Sequence, residues 1–276
     1  YIILGVVFAL VLSALIIIGV ITILHKCLKD KRHDVKIKTK YDPKAREKMH
    51  IAGLQKLSLL DYPGKVACTV FLSGCNICCP YCHNAKLISS NYDGDEIAQI
   101  ELMEFLDLRK KKIDGVCISG GEPTLTPELP ELIKSVRKKG FSVKLDTNGT
   151  NPEMLKNLID EGLIDYAAMD IKNSRMRYNE TCGAEVLPQI EKSVRLLMNG
   201  NIDFEFRTTV CKPLHTLNDM KDIGLWLKGA KRYFIQQFVG SGNVPDKSLS
   251  PFSPEELKQL ENAVLPYIPN TRVRGE

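Results

Sequence analysis

The amino-acid sequence predicts an α/β fold on a mainly parallel sheet, and three observations predict it. Six short β-branched or apolar runs recur from residue 65 onward, five stretches of helical spacing lie between them, and polar motifs gather where the runs end. Strands alternating with helices imply βαβ units with right-handed crossovers. Six units are too few for a closed eightfold barrel, so an open, partial (βα)6 barrel or a doubly wound sheet remains. In either, chemistry gathers at the carboxyl ends of the strands.

The strand-like runs are KVACTVFLS (65–73), DGVCISG (114–120), FSVKLDT (141–147), DYAAMDIK (165–172), DFEFRTTV (203–210) and RYFIQQF (232–238). Helical patterning covers 95–111, 127–139, 152–161, 187–199 and 218–229. In PELPELIKSVRKKG the apolar Leu129, Leu132, Ile133 and Val136 recur at helical spacing, and Gly140 supplies a stop signal. PQIEKSVRLLMNGN repeats the design with Ile190, Val194, Leu197 and a closing Asn-Gly. Beyond its N-terminal stretch the chain shows no internal repeat or low-complexity segment.

That N-terminal stretch differs from the rest. Residues 2–24 carry no charged side chain, and as a helix they would reach about 35 Å, enough to cross a hydrocarbon core of about 30 Å. A secretory signal core is shorter and ends at a small-residue cleavage site, which is missing here. The segment 1–24 is therefore expected to be a transmembrane helix. Residues 25–48 hold ten Lys/Arg and four Asp/Glu, a local charge of +6 in a chain whose total is +5. Residues 49–276 thus sum to about −1, so the basic balance belongs to a juxtamembrane linker and argues against a nucleic-acid-binding surface. The expected arrangement is a cytoplasmic catalytic domain, 49–276, anchored to the inner face of the cell membrane. A flexible basic linker with no lipid role is the plainer alternative. Met49 stands directly before the globular patterning and offers another start, with residues 1–48 belonging to an upstream segment.

Four of the nine cysteines fall within eight positions, in FLSGCNICCPYCHN (71–84). Such clustering in one loop of a body with a sizeable core points to metal chemistry in a reducing compartment, not to a disulfide framework. Cys75, Cys79 and Cys82 make a C-x3-C-x2-C pattern, with Cys78 an additional thiol inside it. Structural zinc wants four closed ligands, commonly as two separated pairs, and no second pair exists here. Cys78 or His83 could complete a tetrahedron, at the cost of strain between the adjacent Cys78 and Cys79. A cubane iron–sulfur cluster normally takes four thiolates. Three would leave one iron open to something other than protein. Cys68 and Cys117 sit in apolar runs and read as buried small hydrophobes. Cys182 and Cys211 carry no legible pattern, and Cys27 is a weak acylation candidate.

The C-x3-C-x2-C spacing with Tyr81 before its last cysteine resembles the signature of radical S-adenosylmethionine enzymes. SGGEP (Ser119–Pro123), after the second strand, looks like that family's GGEP motif. There the open iron is chelated by the amino and carboxylate groups of S-adenosylmethionine, and the GGEP backbone and glutamate meet the methionyl ammonium. The two glycines would let main chain approach a ligand where a Cβ would collide. CPYCHN and the preceding SLLDYPGKVACTVFLSGC are similar to glycyl-radical-enzyme activating proteins, closest to those acting on anaerobic ribonucleoside-triphosphate reductase. DTNG and MDIK fit the activator pattern, in which they surround the methionyl carboxylate, the ribose and a bound monovalent cation.

The resemblance covers residues 49–276. It implies a 4Fe–4S cluster on Cys75, Cys79 and Cys82, and S-adenosylmethionine contacts from Tyr81, His83, Gly120, Gly121, Glu122, Asp146, Thr147, Asp170, Lys172 and Arg207. Gln236 and Gln237 fit the adenine side loosely. Each polar residue also has a plainer reading: Asp146 with Asn148 and Gly149 as a strand-end turn, Asp170 with Lys172 as an exposed ion pair, His83 as a solvent-facing loop residue. His215 reads as structural and Cys78 as a spectator. No inserted ferredoxin-like segment is present, so one cluster is implied. The implied activity is transfer of a hydrogen atom from a glycine of a partner enzyme, with a flavodoxin or ferredoxin-type reductant supplying the electron. LSLLDYPG (57–64) is expected to lie beside the barrel mouth as a docking edge for that partner. The rivals are activation of another glycyl radical enzyme, a radical reaction on a small molecule, and a membrane-tethered iron–sulfur electron carrier.

Overall fold

A computed structural model describes residues 49–89, 94–240 and 243–275. The expected transmembrane helix 2–24 and linker 25–48 lie outside the described residues. Among the described residues no helix is long and apolar enough to cross a membrane.

Among the described residues eight strands form one sheet: β1 (Ile51–Ser58), β2 (Ala67–Leu72), β3 (Gly115–Gly120), β4 (Ser142–Thr147), β5 (Tyr166–Asp170), β6 (Asp203–Val210), β7 (Tyr233–Gln237) and β8 (Thr271–Arg274). They are bonded in sequence order, β1 antiparallel to β2 and every later pair parallel. A doubly wound sheet reverses its strand order at a switch point. This order never reverses, which decides for the barrel-like alternative. Among the described residues β8 does not bond to β1, so the barrel stays open.

Among the described residues seven α-helices connect the strands: α1 (Gln99–Arg109), α2 (Leu129–Lys138), α3 (Pro152–Asp160), α4 (Tyr178–Cys182), α5 (Leu187–Asn199), α6 (Leu217–Trp226) and α7 (Pro254–Val264). Their apolar stripes cover the outer sheet face. Leu129, Leu132, Ile133 and Val136 of α2 are all buried, as their spacing predicts. Thr216 with Asp219, and Ser253 with Glu256, make capping boxes that satisfy the first amides of α6 and α7.

Three elements depart from the expected six-unit pattern. β1 adds an antiparallel edge with only its two end residues buried, so it lacks alternation. Four-residue β8 closes the other edge, reached through α7. The connection between β1 and β2 enters β2 at its amino end, whereas the cysteines follow its carboxyl end. Six residues of strand, about 20 Å, separate the two. LSLLDYPG therefore sits at the barrel floor and not beside the mouth. There Tyr62 is buried, with its ring 6.1 Å from that of Tyr166.

Candidate active site

The cysteine loop leaves β2 and is fastened from three sides. Its Gly74 and Cys75 amides donate to Leu87 O (2.8 Å) and Ile88 O (3.0 Å), and the Cys78 amide donates to Cys182 O of α4 (3.0 Å). Asn76 interlocks with the turn after β4, where Asn148 Nδ2 donates to its Oδ1 (3.2 Å) and also reaches Cys75 Sγ (3.9 Å). Thus held, Cys75, Cys79 and Cys82 open on one cavity of about 260 Å³ at the carboxyl ends of the strands. Burial pushes the Cys75 thiol up to about 12. A hydrogen bond with Cys182, then burial, raises Cys79, and burial raises Cys82. Bare, these thiols hold their protons at neutral pH, so binding a metal must release protons.

Gly120 and Gly121 line the same cavity, but the surface they approach most closely is protein. A Cβ on Gly120, whose φ is +129°, would lie 2.1 Å from Leu72 O; one on Gly121 would lie 2.2 Å from Gly74 O. The Gly121 amide donates to Leu72 O and the Glu122 amide to Gly74 O, each at 2.8 Å. The glycine pair therefore clamps the root of the cysteine loop.

Glu122 does not line the cavity. It is fully buried, and its carboxylate accepts from the Thr124 hydroxyl (2.5 Å), the Thr147 hydroxyl (2.6 Å) and the Asn148 amide (2.5 Å). Burial raises its pKa against these opposing donors. Glu122 ties the end of β3 to the end of β4 and acts on the site through Thr147 and Asn148.

A chain of alternating charge forms the inner wall. Asp146 pairs with the Lys144 ammonium and lies 3.4 Å from Arg207; Arg207 Nε donates to Asp170 (2.9 Å), and Asp170 accepts from Lys172 (2.9 Å). Three cations against two carboxylates leave an excess of one positive charge. Burial alone would raise Asp170, yet Arg207 and Lys172 hold it down at about 2. Asp146 is likewise lowered against its burial, by Arg207 and Lys144. Of these groups Lys144 escaped the sequence reading. The alternation in SVKLDT, with Val143 and Leu145 outward, carried the signal of a charged inner face.

Asp146, Thr147, Asp170, Lys172 and Arg207 all line the cavity, as do Tyr81, His83 and Gln236. The Tyr81 hydroxyl donates to Lys172 O (3.2 Å), and His215 Nε2 lies 2.9 Å from the same oxygen. His215 is buried and supports Lys172 from behind, which agrees with its structural reading. His83 is exposed, stacks on Phe238, and has Nε2 2.8 Å from Val239 O. Gln237 points elsewhere and donates to Phe252 O (2.6 Å). Ile77, Ile88 and Asn148 also line the cavity; Ile77 and Asn148 lie inside the motifs, and Ile88 a few residues beyond the cysteines.

The donor chemistry fits a thiolate-held cluster. Three thiols face one cavity. Thiolates are the donors that hold an iron–sulfur cluster.

Residues 69–227 match the family model of the radical SAM superfamily. A Methanocaldococcus jannaschii protein, named provisionally as a glycyl-radical enzyme activating enzyme, is 37% identical over 232 residues, covering 81% of this chain and 95% of that protein. The pyruvate formate-lyase-activating enzyme of Clostridium pasteurianum is 33% identical over 132 residues, 45% of this chain and 52% of that protein. Among solved structures, Streptococcus suis SuiB bound to S-adenosylmethionine shares the fold with a TM-score of 0.59 at 15% identity, over 74% of this chain and 52% of SuiB. The chain belongs to the radical SAM superfamily and is a radical SAM enzyme. Membership implies a 4Fe–4S cluster and S-adenosylmethionine.

Proposed function

We propose that this enzyme activates a glycyl radical enzyme, by holding a 4Fe–4S cluster on Cys75, Cys79 and Cys82 and S-adenosylmethionine in the adjoining cavity. The observation that carries the proposal is the match along 95% of a relative bearing the activating-enzyme name, coupled to a cavity that gathers the cysteines and the cationic wall. The SLLDYPGKVACTVFLSGC pattern favours anaerobic ribonucleoside-triphosphate reductase as the partner, with a flavodoxin or ferredoxin-type protein as reductant.

The cluster, held on Cys75, Cys79 and Cys82, would supply the electron for reductive cleavage of S-adenosylmethionine, and so the hydrogen-atom abstraction that activation of a partner's glycine requires. The chain's own residues bind and orient. The positive excess at Arg207 and Lys172 suits the methionyl carboxylate through charge-assisted hydrogen bonds. Tyr81 and His215 fix the Lys172 backbone, and so the placement of its ammonium. Ile77 and Ile88 supply apolar rim that limits water. Glu122 holds Thr147 and Asn148 in place without touching the ligand.

The test is anoxic reconstitution with iron and sulfide, followed by reduction with S-adenosylmethionine and the reductase present. Formation of 5′-deoxyadenosine together with a glycyl-radical spin signal on the reductase is expected. S-adenosylmethionine turnover without that signal, for any glycyl radical enzyme offered, overturns activation. Cys79→Ala should abolish iron incorporation whereas Cys78→Ala retains it; equal loss would redraw the ligand set.

A further inference from the structure

The resemblance to activating proteins implied that Asp146, Thr147, Asp170 and Lys172 surround the methionyl carboxylate, the ribose and a monovalent cation, and the residues do not fit the cation. Every oxygen of the two carboxylates already faces a protein cation. Asp146 Oδ1 takes the Lys144 ammonium and its Oδ2 lies 3.4 Å from Arg207. Asp170 Oδ1 takes Arg207 Nε and Oδ2 takes Lys172, each at 2.9 Å. The Thr147 hydroxyl donates to Glu122 (2.6 Å) and accepts from the Gly149 amide (3.0 Å). A metal ion would enter a cluster that already carries one positive charge in excess, among oxygens that protein cations and donors already face.

Lys144 is the residue that needs explaining. Its side chain is 2% exposed, on a strand whose inner face looks into the barrel. Burying an ammonium costs several kcal/mol unless partners compensate. Its recorded partners are the Asp146 carboxylate and the Cys117 thiol, whose sulfur is 3.7 Å from Nζ. Lysine presents a compact, point-like charge, unlike the flat guanidinium of arginine. That is the chemistry of a monovalent ion, delivered on a tether.

We propose that the Lys144 ammonium stands in for a monovalent metal ion at this site, so that S-adenosylmethionine binding by this chain needs no sodium or potassium. It neutralises Asp146 from beneath the cavity, so that the excess positive charge of the wall faces an anionic ligand. The inference rests on the reading of this cavity as the S-adenosylmethionine site.

The experiment compares potassium, sodium and tetramethylammonium buffers of equal ionic strength. S-adenosylmethionine affinity is measured on the reconstituted full chain, and the thermal midpoint on the cluster-free chain. The wild type should bind within about twofold in all three buffers and melt at one temperature. Lys144→Ala should bind about tenfold more weakly in tetramethylammonium, with affinity and midpoint restored by potassium or sodium entering the vacated space. Lys144→Met fills that space without charge, and should stay weak in every buffer. A wild type that loses about tenfold in affinity on removal of metal cations overturns the proposal, as does a Lys144→Ala chain indifferent to them. Should either variant fail to fold, the wild-type comparison decides alone. The midpoint needs neither cluster nor S-adenosylmethionine, so a failed activity reading leaves it intact.

Discussion

The two ends of the barrel interior are built from alternate residues of the same strands and reach opposite electrostatic outcomes. At the floor, Tyr62, Ala67, Tyr166 and Ala168 form a buried cluster apart from the main core. Beside them Glu205, 1% exposed, takes both Arg274 nitrogens (2.9 and 3.1 Å) and the Tyr166 hydroxyl (2.8 Å). One cation meets one anion there, and tyrosine rings fill the space. Two residues further along β5 and β6, Asp170 and Arg207 belong to a wall with three cations against two anions, facing a cavity. A balanced, filled end serves stability; an unbalanced, open end is arranged for an anionic ligand.

The largest effect that could break this contrast lies at the floor. Arg274→Ala leaves the Glu205 carboxylate buried with only a tyrosine hydroxyl, which should cost about 3 kcal/mol of unfolding free energy. Urea denaturation measures it, and S-adenosylmethionine affinity should stay unchanged. A loss of affinity that parallels the loss of stability would show that the two ends act as one unit. The next effect lies at the mouth. Arg207→Gln removes the positive excess while Lys144 and Lys172 still pair with Asp146 and Asp170. S-adenosylmethionine should bind about tenfold more weakly, equal to about 1.4 kcal/mol, with a smaller change in stability than at the floor. Unchanged affinity would mean that the excess charge serves another purpose.

What the sequence made legible follows from how locally each feature is encoded. The cysteine loop, the glycine pair and the DTNG and MDIK turns are contiguous, and each falls at a strand's carboxyl end, so periodicity alone placed them in one region. The interior pairs are not contiguous. Glu205 finds Arg274 across 69 positions, and Lys144 becomes conspicuous only when its strand is seen to face inward. Glu122 was expected at the ligand because its motif is; its rotation into Thr124, Thr147 and Asn148 depends on the distance between β3 and β4, which no local pattern states. LSLLDYPG was expected beside the mouth as a docking edge. One strand of intervening chain carries it to the opposite end. The α7 helix, by contrast, was within reach: Ser253 with Glu256, then Leu257, Leu260 and Val264, spell a capping box and a helical stripe.

The smallest effect distinguishes the mouth by its acid limb. Asp170 is held down from 3.8 to about 2 by Arg207 and Lys172, against its burial. A carboxyl depressed in the folded state stabilises the fold above its unfolded pKa, and that contribution disappears as pH falls through the folded value. The window therefore runs from about pH 4 down to about pH 2, with stability falling as acid is added. Asp170→Asn cannot titrate, and at pH 5 it leaves Lys172 without its carboxylate and Arg207 with Asp146 alone. The cluster-free wild type and the Asn variant should thus differ at pH 5 and converge toward pH 2, as followed by urea unfolding across the range. Parallel curves, with a constant gap down to pH 2, would mean that the Asp170 charge adds nothing to the fold, and that the cationic wall is held in place by packing instead.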